Sequence, residues 1–391
     1  MTLIQKEVTK VFLGEVQVRP PFKPRTFTIS RTEQSNMSSW WTYSDDATWL
    51  TAGDGAFDDF FWYSAVLLNT SGVETAEMKQ SWWVFTGAMT TLGNITSGDN
   101  VMIKFPVRWI KMTKSGSTVT LSITDWLGRE NEWYQYYAHC TWTLSNPWTP
   151  NDVMYLGAYK ASYSSWVWKS WSWKSPNVNV LWSDMCYYAK ANWSWYNVIW
   201  YYQRMYIAAL YMMKYGNPNS QSVVWAWFSS WNSWRTNTWW TNAQTNATYW
   251  TSSWSVQCKL FWLEDRWGNV NEFVWWAYLN SSSVLYTRLT WWSNATTWWE
   301  STETTLSWYG DLSSIAGNNK AMFWVTWTVS NSNYNTYYSD QVWVASSRLL
   351  WIFWWAYWWG NGNWTFRGEY VSANDSSTLD SSRIMYMNWL T

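Results

Sequence analysis

Cys258-Lys259-Leu260-Phe261-Trp262-Leu263-Glu264-Asp265-Arg266-Trp267-Gly268-Asn269-Val270-Asn271-Glu272-Phe273-Val274-Trp275-Trp276 decides how this chain is read. Gly268-Asn269 forms a turn pair, because glycine enters positive φ without steric cost and asparagine tolerates it better than most residues. The chain then enters a strand through Val270. Asp265 and Glu272 flank the turn and are expected to tie down loop backbone. The stretch is also dense in tryptophan, and that excess runs through the whole chain.

Forty-six of 391 residues are tryptophan and only 17 are glycine. Many tryptophans sit in polar, turn-like surroundings such as Ser170-Trp171-Ser172-Trp173-Lys174, Asn192-Trp193-Ser194-Trp195 and the run from Trp354 to Trp364. Glycine belongs in such places, and soluble chains average about 7% of it. Two readings account for the imbalance. Either many Trp letters stand for UGA codons in a source that reads UGA as Gly, or the source reads UGA as Trp and carries an extreme composition. A buried tryptophan needs roughly 150–250 Å² of cover. A chain of this size cannot supply that for so many, and the remainder would form sticky patches. The first reading is preferred, with glycine expected at Trp171, Trp173, Trp193, Trp195, Trp354 and Trp355.

Lys and Arg balance Asp and Glu at 26 each, so the chain carries no electrostatic footprint for nucleic acid. Charged residues make up only 13%, and Ser, Thr, Asn and Tyr fill the gap, which fits an extracellular or virion surface. Cys140, Cys186 and Cys258 are too few and too scattered for a disulfide framework or a zinc site and are expected as buried small apolar residues. Met1 to Pro20 lacks the apolar core of a signal peptide, and Trp351–Trp359 is too short to span a bilayer. No membrane span and no Sec signal are therefore expected, with export by lysis or within a particle.

Residues 1–30 suggest one strand from Val8 to Val18 followed by an extended arm beyond Pro20-Pro21, as an attachment segment or an ordinary first strand. Residues 31–100 read as a small β-rich region in which Asp45-Asp46 and Asp58-Asp59 are solvated loop acids. Val101–Pro106, Ile110–Met112 and Thr118–Ile123 read as strands, with Lys114-Ser115-Gly116-Ser117 as the turn between the last two. Val153–Tyr159 is another strand. Asn197–Tyr215 has helical spacing of Ile199, Met205, Ala208, Ala209, Met212 and Met213, with Gly216 as its cap. One or two helices among many short strands make an α+β class with long loops.

With Trp262 and Trp276 read as glycine, residues 262–274 resemble the G-L-x-D-x-(W/A)-G-N-V-x-E-(W/F)-V stretch of the formylglycine-generating-enzyme and C-type-lectin superfamily. Asp265, Trp267, Gly268, Asn269, Val270 and Glu272 fall in register with it. Met102–Lys111, Ser122–Asp125, Tyr137–His139 and Tyr155–Ala161 resemble the opening strands of lectin-fold phage tail and variable proteins, with Tyr137 replacing a proline. Ser346–Leu350, Trp354-Trp355, Trp364-Thr365-Phe366 and Ser381–Tyr386 resemble the terminal variable region of diversity-generating-retroelement targets. The resemblance implies a C-type-lectin-like domain over 101–391, after the arm at 1–30 and the region at 31–100. It also implies a variable region at about 345–391, whose ligand-binding positions are Phe353, Ala356, Tyr357, Asn361, Asn363, Thr365, Arg367, Glu369 and Tyr370.

The function implied is binding of a host or target cell-surface receptor, protein or glycan, by a homo-oligomer, expected as a trimer, on a virion tail or cell surface. No cofactor, metal, nucleic-acid partner or catalytic residue is expected. No cysteine follows Cys258, so the reactive pair of the formylglycine oxidases is missing, and Glu-Pro-Asn and Gln-Pro-Asp calcium tripeptides are absent. His139, the only histidine, adjoins Cys140, and neighbours on a strand face opposite ways; it reads as structural. The alternative function is glycan cleavage by paired carboxylates, with Asp265, Glu272, Glu369 and Asp375 as candidates.

Overall fold

Lys114-Ser115-Gly116-Ser117 turns the chain where its composition predicts. Ser115 pairs with Thr118, leaving Gly116 at φ +58° as the first of two central residues, the glycine position of a type II′ hairpin. The computed structural model describes residues 24–33, 41–78, 80–81, 84–85, 95–126, 132–140, 150–193, 195–218, 220–223, 237–238, 241–242, 244, 246–250, 257–275, 277–279, 284–287, 300–305, 310–315, 317–318, 322, 325–329, 341–343, 350–353, 368–371 and 380–387.

Antiparallel sheets dominate, with few helices, so the class is α+β. Trp109–Ser115 and Thr118–Thr124 continue into Thr26–Thr32 and Thr42–Asp45 as one four-stranded sheet among the described residues. A second sheet runs in the order Tyr196–Val198, Ile384–Tyr386, Val153–Gly157, Asn100–Pro106, Ser64–Leu68 and Glu74–Met78. Its inner strands are almost wholly buried, which explains their continuous apolar runs. Strand pairing thus crosses the boundaries expected near residues 30 and 100: Thr26–Thr32 lies against Thr118–Thr124, and Ser64–Leu68 against Asn100–Pro106. The strand expected at Val8–Val18 lies outside the described residues.

A third sheet joins Val325–Val329, Gly310–Ile315, Gln341–Trp343, Gly368–Val371, Leu350–Phe353, Asn271–Phe273 and Asp380–Ser381 in that order. The last strand runs parallel to Asn271–Phe273. The chain then passes Ser382-Arg383 and enters the second sheet at Ile384, so residues 380–386 stitch the two sheets together.

The helix occupies Tyr201–Tyr215, and all fifteen of its residues are buried. Its start differs from the expected Asn197, because Tyr196–Val198 pairs with Ile384–Tyr386 as a strand. The Trp200 N–H donates to Gln203 Oε1 at 3.0 Å, satisfying one of the free amides at the helix start. Gly216 ends it at φ +57°. Burial on all sides obliges the helix to neutralise its own charges, and Lys214 Nζ reaches Asp58 at 2.6 and 2.7 Å. Asp58 is therefore no solvated loop acid: it lies in a short helix, Ala56–Phe61, and also accepts from Tyr63 Oη at 2.7 Å. That helix and Trp182–Lys190 are additional to the one read from spacing. The first is too short for periodicity to register and is held by buried Phe57, Phe60 and Phe61.

The three cysteines are buried and unbridged. Among the described residues no helix is long and apolar enough to cross a membrane.

Candidate functional site

Two positive-φ residues make the turn of the quoted stretch, Gly268 at +84° and Asn269 at +66°, and Asp265 also stands at +53°. The turn folds back on itself: Asn269 Nδ2 donates to Asp265 Oδ2 at 2.7 Å, and Gln257 Nε2 donates to the same oxygen. Asp265, Trp267, Gly268, Asn269, Val270 and Glu272 are all buried. The expectation that the two carboxylates tie down loop backbone is corrected here. Asp265 accepts side-chain amides, and Glu272 faces cations.

Four cations surround Glu272. Arg266 Nη1 donates to Oε2 at 3.1 Å, and Arg204 Nε lies 3.7 Å from that oxygen. On Oε1, Lys160 Nζ stands at 3.4 Å. Arg383 Nε approaches Oε1 to 2.8 Å, an ion pair by distance without hydrogen-bond alignment. No side chain in the cage is more than 2% exposed. Burial alone would push the Glu272 carboxyl up, but the combined field of Lys160, Arg383 and Arg204 holds it below the ordinary value. Burial pushes the Lys160 ammonium down to about 8 against the pull of Glu272.

The cage gathers distant pieces of chain. Lys160 follows the Val153–Gly157 strand, Arg204 belongs to the central helix, Arg266 to the turn stretch, and Arg383 to the C-terminal connection. Arg383 also donates through Nη1 to the Gly157 and Ala158 carbonyls at 3.1 and 2.9 Å and through Nη2 to the Glu264 carbonyl. Arg266 Nη2 donates to the Arg204 carbonyl at 3.2 Å. None of the four was singled out from sequence, although three stand in the quoted stretches and the fourth in the predicted helix. A long basic side chain among apolar neighbours is a signal that could have found Arg204, whereas Arg266 and Arg383 stand among polar residues and carry no such signal.

Beside the cage, Glu264 Oε2 accepts from the Thr241 N–H at 3.0 Å and from its hydroxyl. Burial first and Asp265 second push the Glu264 carboxyl up to about 8. Lys259 Nζ donates to the Thr241 and Gln244 carbonyls at 3.1 and 2.8 Å. His139 is fully buried, with Nε2 at 3.2 Å from the Phe105 carbonyl, and burial pushes it down to about 3, so the ring is neutral. Cys140 faces a separate cluster with Trp109, Tyr134 and Tyr136, and its thiol is pushed up to about 12 by burial.

Of the expected binding positions, Phe353 ends the Leu350–Phe353 strand, and Glu369 and Tyr370 lie in Gly368–Val371. The backbone of Phe353 pairs with Glu272, Ile352 with Glu369, and Trp351 with Tyr370. Ala356, Tyr357, Asn361, Asn363, Thr365 and Arg367 lie outside the described residues, as does Asp375. Among the described residues no group of three or more His, Cys, Asp or Glu side chains is arranged to hold a metal ion. The chain matches no family model and no curated protein.

Proposed function

We propose that this chain is a receptor-binding protein: a C-type-lectin-like scaffold over residues 101–391 that displays a diversified surface between Phe353 and Tyr370. The observation that carries the reading is the pairing of Leu350–Phe353 with Gly368–Val371, in register from Leu350 opposite Val371 to Ile352 opposite Glu369. Phe353 and Gly368 thus stand at the same end of two adjacent antiparallel strands within the seven-stranded sheet. Leu350–Phe353 is also paired with Asn271–Phe273, whose Glu272 is fixed by the buried cage. Side chains that follow such a scaffold strand outside the packed core can change without disturbing it.

The composition between Phe353 and Gly368 suits recognition. Tyr357, Asn361, Asn363 and Thr365 combine rigid contact area with adaptable hydrogen bonding at low entropic cost, as antibody loops do. A single site of this kind is weak. The proposal therefore includes a homo-oligomer, with a trimer as the expected form, on a virion tail or cell surface, where several copies raise the effective affinity. The partner is a surface protein or glycan of the target cell. Glycan cleavage draws no support from Asp265 and Glu272, whose carboxylates are fully buried and engaged by other side chains.

Joint substitution of Tyr357→Ala and Asn361→Ala tests the reading. Adsorption to target cells is expected to be lost while the thermal midpoint stays within a degree or so of the parent. Adsorption that survives the double change would move the binding surface elsewhere.

A further inference from the structure

Twelve non-glycine residues among those described have positive φ. Four are Asp45, Asn179, Asp265 and Asn269, whose short polar side chains tolerate the left-handed region. Five are tryptophans: Trp62 at +49°, Trp133 at +67°, Trp166 at +68°, Trp173 at +61° and Trp262 at +65°. Tryptophan has a Cβ that clashes there and no short polar group to offset it, so chance does not favour this share.

Three of the five stand where backbone geometry calls for glycine. Ser164 pairs with Val167, leaving Ser165 and Trp166 as the two central residues of a hairpin, both at positive φ. Leu260 pairs with Leu263, leaving Phe261 and Trp262 in the same conformation. Both are type I′ turns, whose second central residue is typically the glycine of Asn-Gly. Trp62 closes the Ala56–Phe61 helix at φ +49°, ψ +51°, its N–H donating to the Asp58 carbonyl. Gly216 does the same at the end of Tyr201–Tyr215, with φ +57° and its N–H on the Met212 carbonyl. The chain thus solves one helix ending with glycine and an equivalent one with a Trp letter.

Four of the five are also exposed, although exposure alone does not single them out, since Trp49 and Trp193 are exposed without positive φ. Trp62, Trp133, Trp166 and Trp173 are 54, 79, 66 and 42% exposed. Trp109, Trp168 and Trp267 are fully buried, with none at positive φ, and Trp267 meets Tyr211 edge-on at 5.3 Å. Trp262 is the demanding case: its backbone calls for glycine, while its ring is buried with Lys259 Nζ 4.0 Å above it.

We propose that Trp62, Trp133, Trp166, Trp173 and Trp262 are glycines in the natural protein, inserted at UGA codons by a glycine-charged tRNA, whereas Trp109, Trp168 and Trp267 are true tryptophans encoded by UGG. Backbone conformation thereby replaces composition as the criterion; of the positions named from polar context, Trp354 and Trp355 lie outside the described residues, and among Trp171, Trp173, Trp193 and Trp195 only Trp173 meets it. Trp171 does not: its ring is buried and its Nε1 donates to the Asp99 carbonyl at 3.0 Å. A regulatory consequence follows. A cytoplasm that reads UGA as stop ends the chain no later than position 61, before the strands of the second sheet. Full-length protein then requires the glycine-charged, UGA-reading tRNA as a partner in its synthesis.

Peptide mass spectrometry on protein from its natural source tests the assignment without any refolding. Peptides are expected with glycine at 62, 133, 166, 173 and 262, each lighter by an indolylmethyl group replaced with hydrogen, and with tryptophan at 109, 168 and 267. Tryptophan at the five positions would overturn the proposal. Translation of the natural gene in a standard-code extract provides a second readout. Full-length chain is expected only when a glycine-charged tRNA reading UGA is added; full-length chain without it would overturn the coding part. Neither measurement depends on what the protein binds, so failure here is distinguishable from failure of the receptor-binding reading.

Discussion

Replacing Glu272 with glutamine keeps the side-chain volume and removes the negative charge that the four cations share. Lys160, Arg204, Arg266 and Arg383 would then face one another at fractional exposures of 2% or less. Breaking a buried ion pair by deleting one partner costs roughly 3–5 kcal/mol, because a charge is left uncompensated away from water. Here four charges lose their common partner, so the upper part of that range is expected, a large share of the ~5–15 kcal/mol that holds a typical domain folded. Lys160→Met removes the other sign. Its Nζ makes no hydrogen bond, and Glu272 keeps three guanidinium groups. That variant is expected to cost less than about 1 kcal/mol, because the cage carries surplus positive charge. Urea unfolding followed by near-ultraviolet circular dichroism measures both, with a lowered midpoint and an unchanged slope as the sign of a pure stability change. A Glu272→Gln cost below about 1 kcal/mol, or a Lys160→Met cost equal to it, would refute the cage as the organising centre.

Glu264 supplies a pH signature: its folded carboxyl is raised from 4.5 to about 8, so on raising the pH the unfolded chain loses its proton first. Its contribution is full below about pH 4.5 and falls as the pH rises to about 8; thermal melts of Glu264→Gln should lack that decline, and an unaltered decline would discount the group. His139 works in the opposite sense, since its folded value is lowered from 6.5 to about 3. Stability is lost as the pH falls from 6.5 towards 3 because only the unfolded chain takes up the proton, and His139→Gln should flatten that acid limb in the same melts. Gly268→Ala forces a Cβ into φ +84° and is expected to cost roughly 1–2 kcal/mol with no change in which receptor is bound. A folded variant that switches receptor would place position 268 in the binding surface.

Local chemistry made part of the fold legible. Gly116 announced its hairpin and Gly216 its helix end, because each supplies a conformation other residues resist. Strand 118–124 showed its alternation because Val119, Leu121 and Ile123 share one face of the strand and are buried in the core. The missed features are non-local. Nothing near Asp58 indicates Lys214, and nothing near Glu272 indicates Lys160 or Arg383, since each pair is closed by the tertiary fold. The helix start moved because Asn197 and Val198 gain strand partners at Met385 and Ile384, which local spacing cannot reveal. At the candidate binding surface, the strands Leu350–Phe353 and Gly368–Val371 are described, while residues 354–367 carry the expectation drawn from their composition.

Diversification is the central claim, and sequencing the gene from many members of one natural population tests it most directly. Amino-acid changes are expected to concentrate at positions 353, 356, 357, 361, 363, 365, 367, 369 and 370, while the codons for Asp265, Gly268, Asn269, Glu272 and Arg383 stay fixed. Changes spread evenly along the chain, or a constant sequence from 353 to 370, would contradict it.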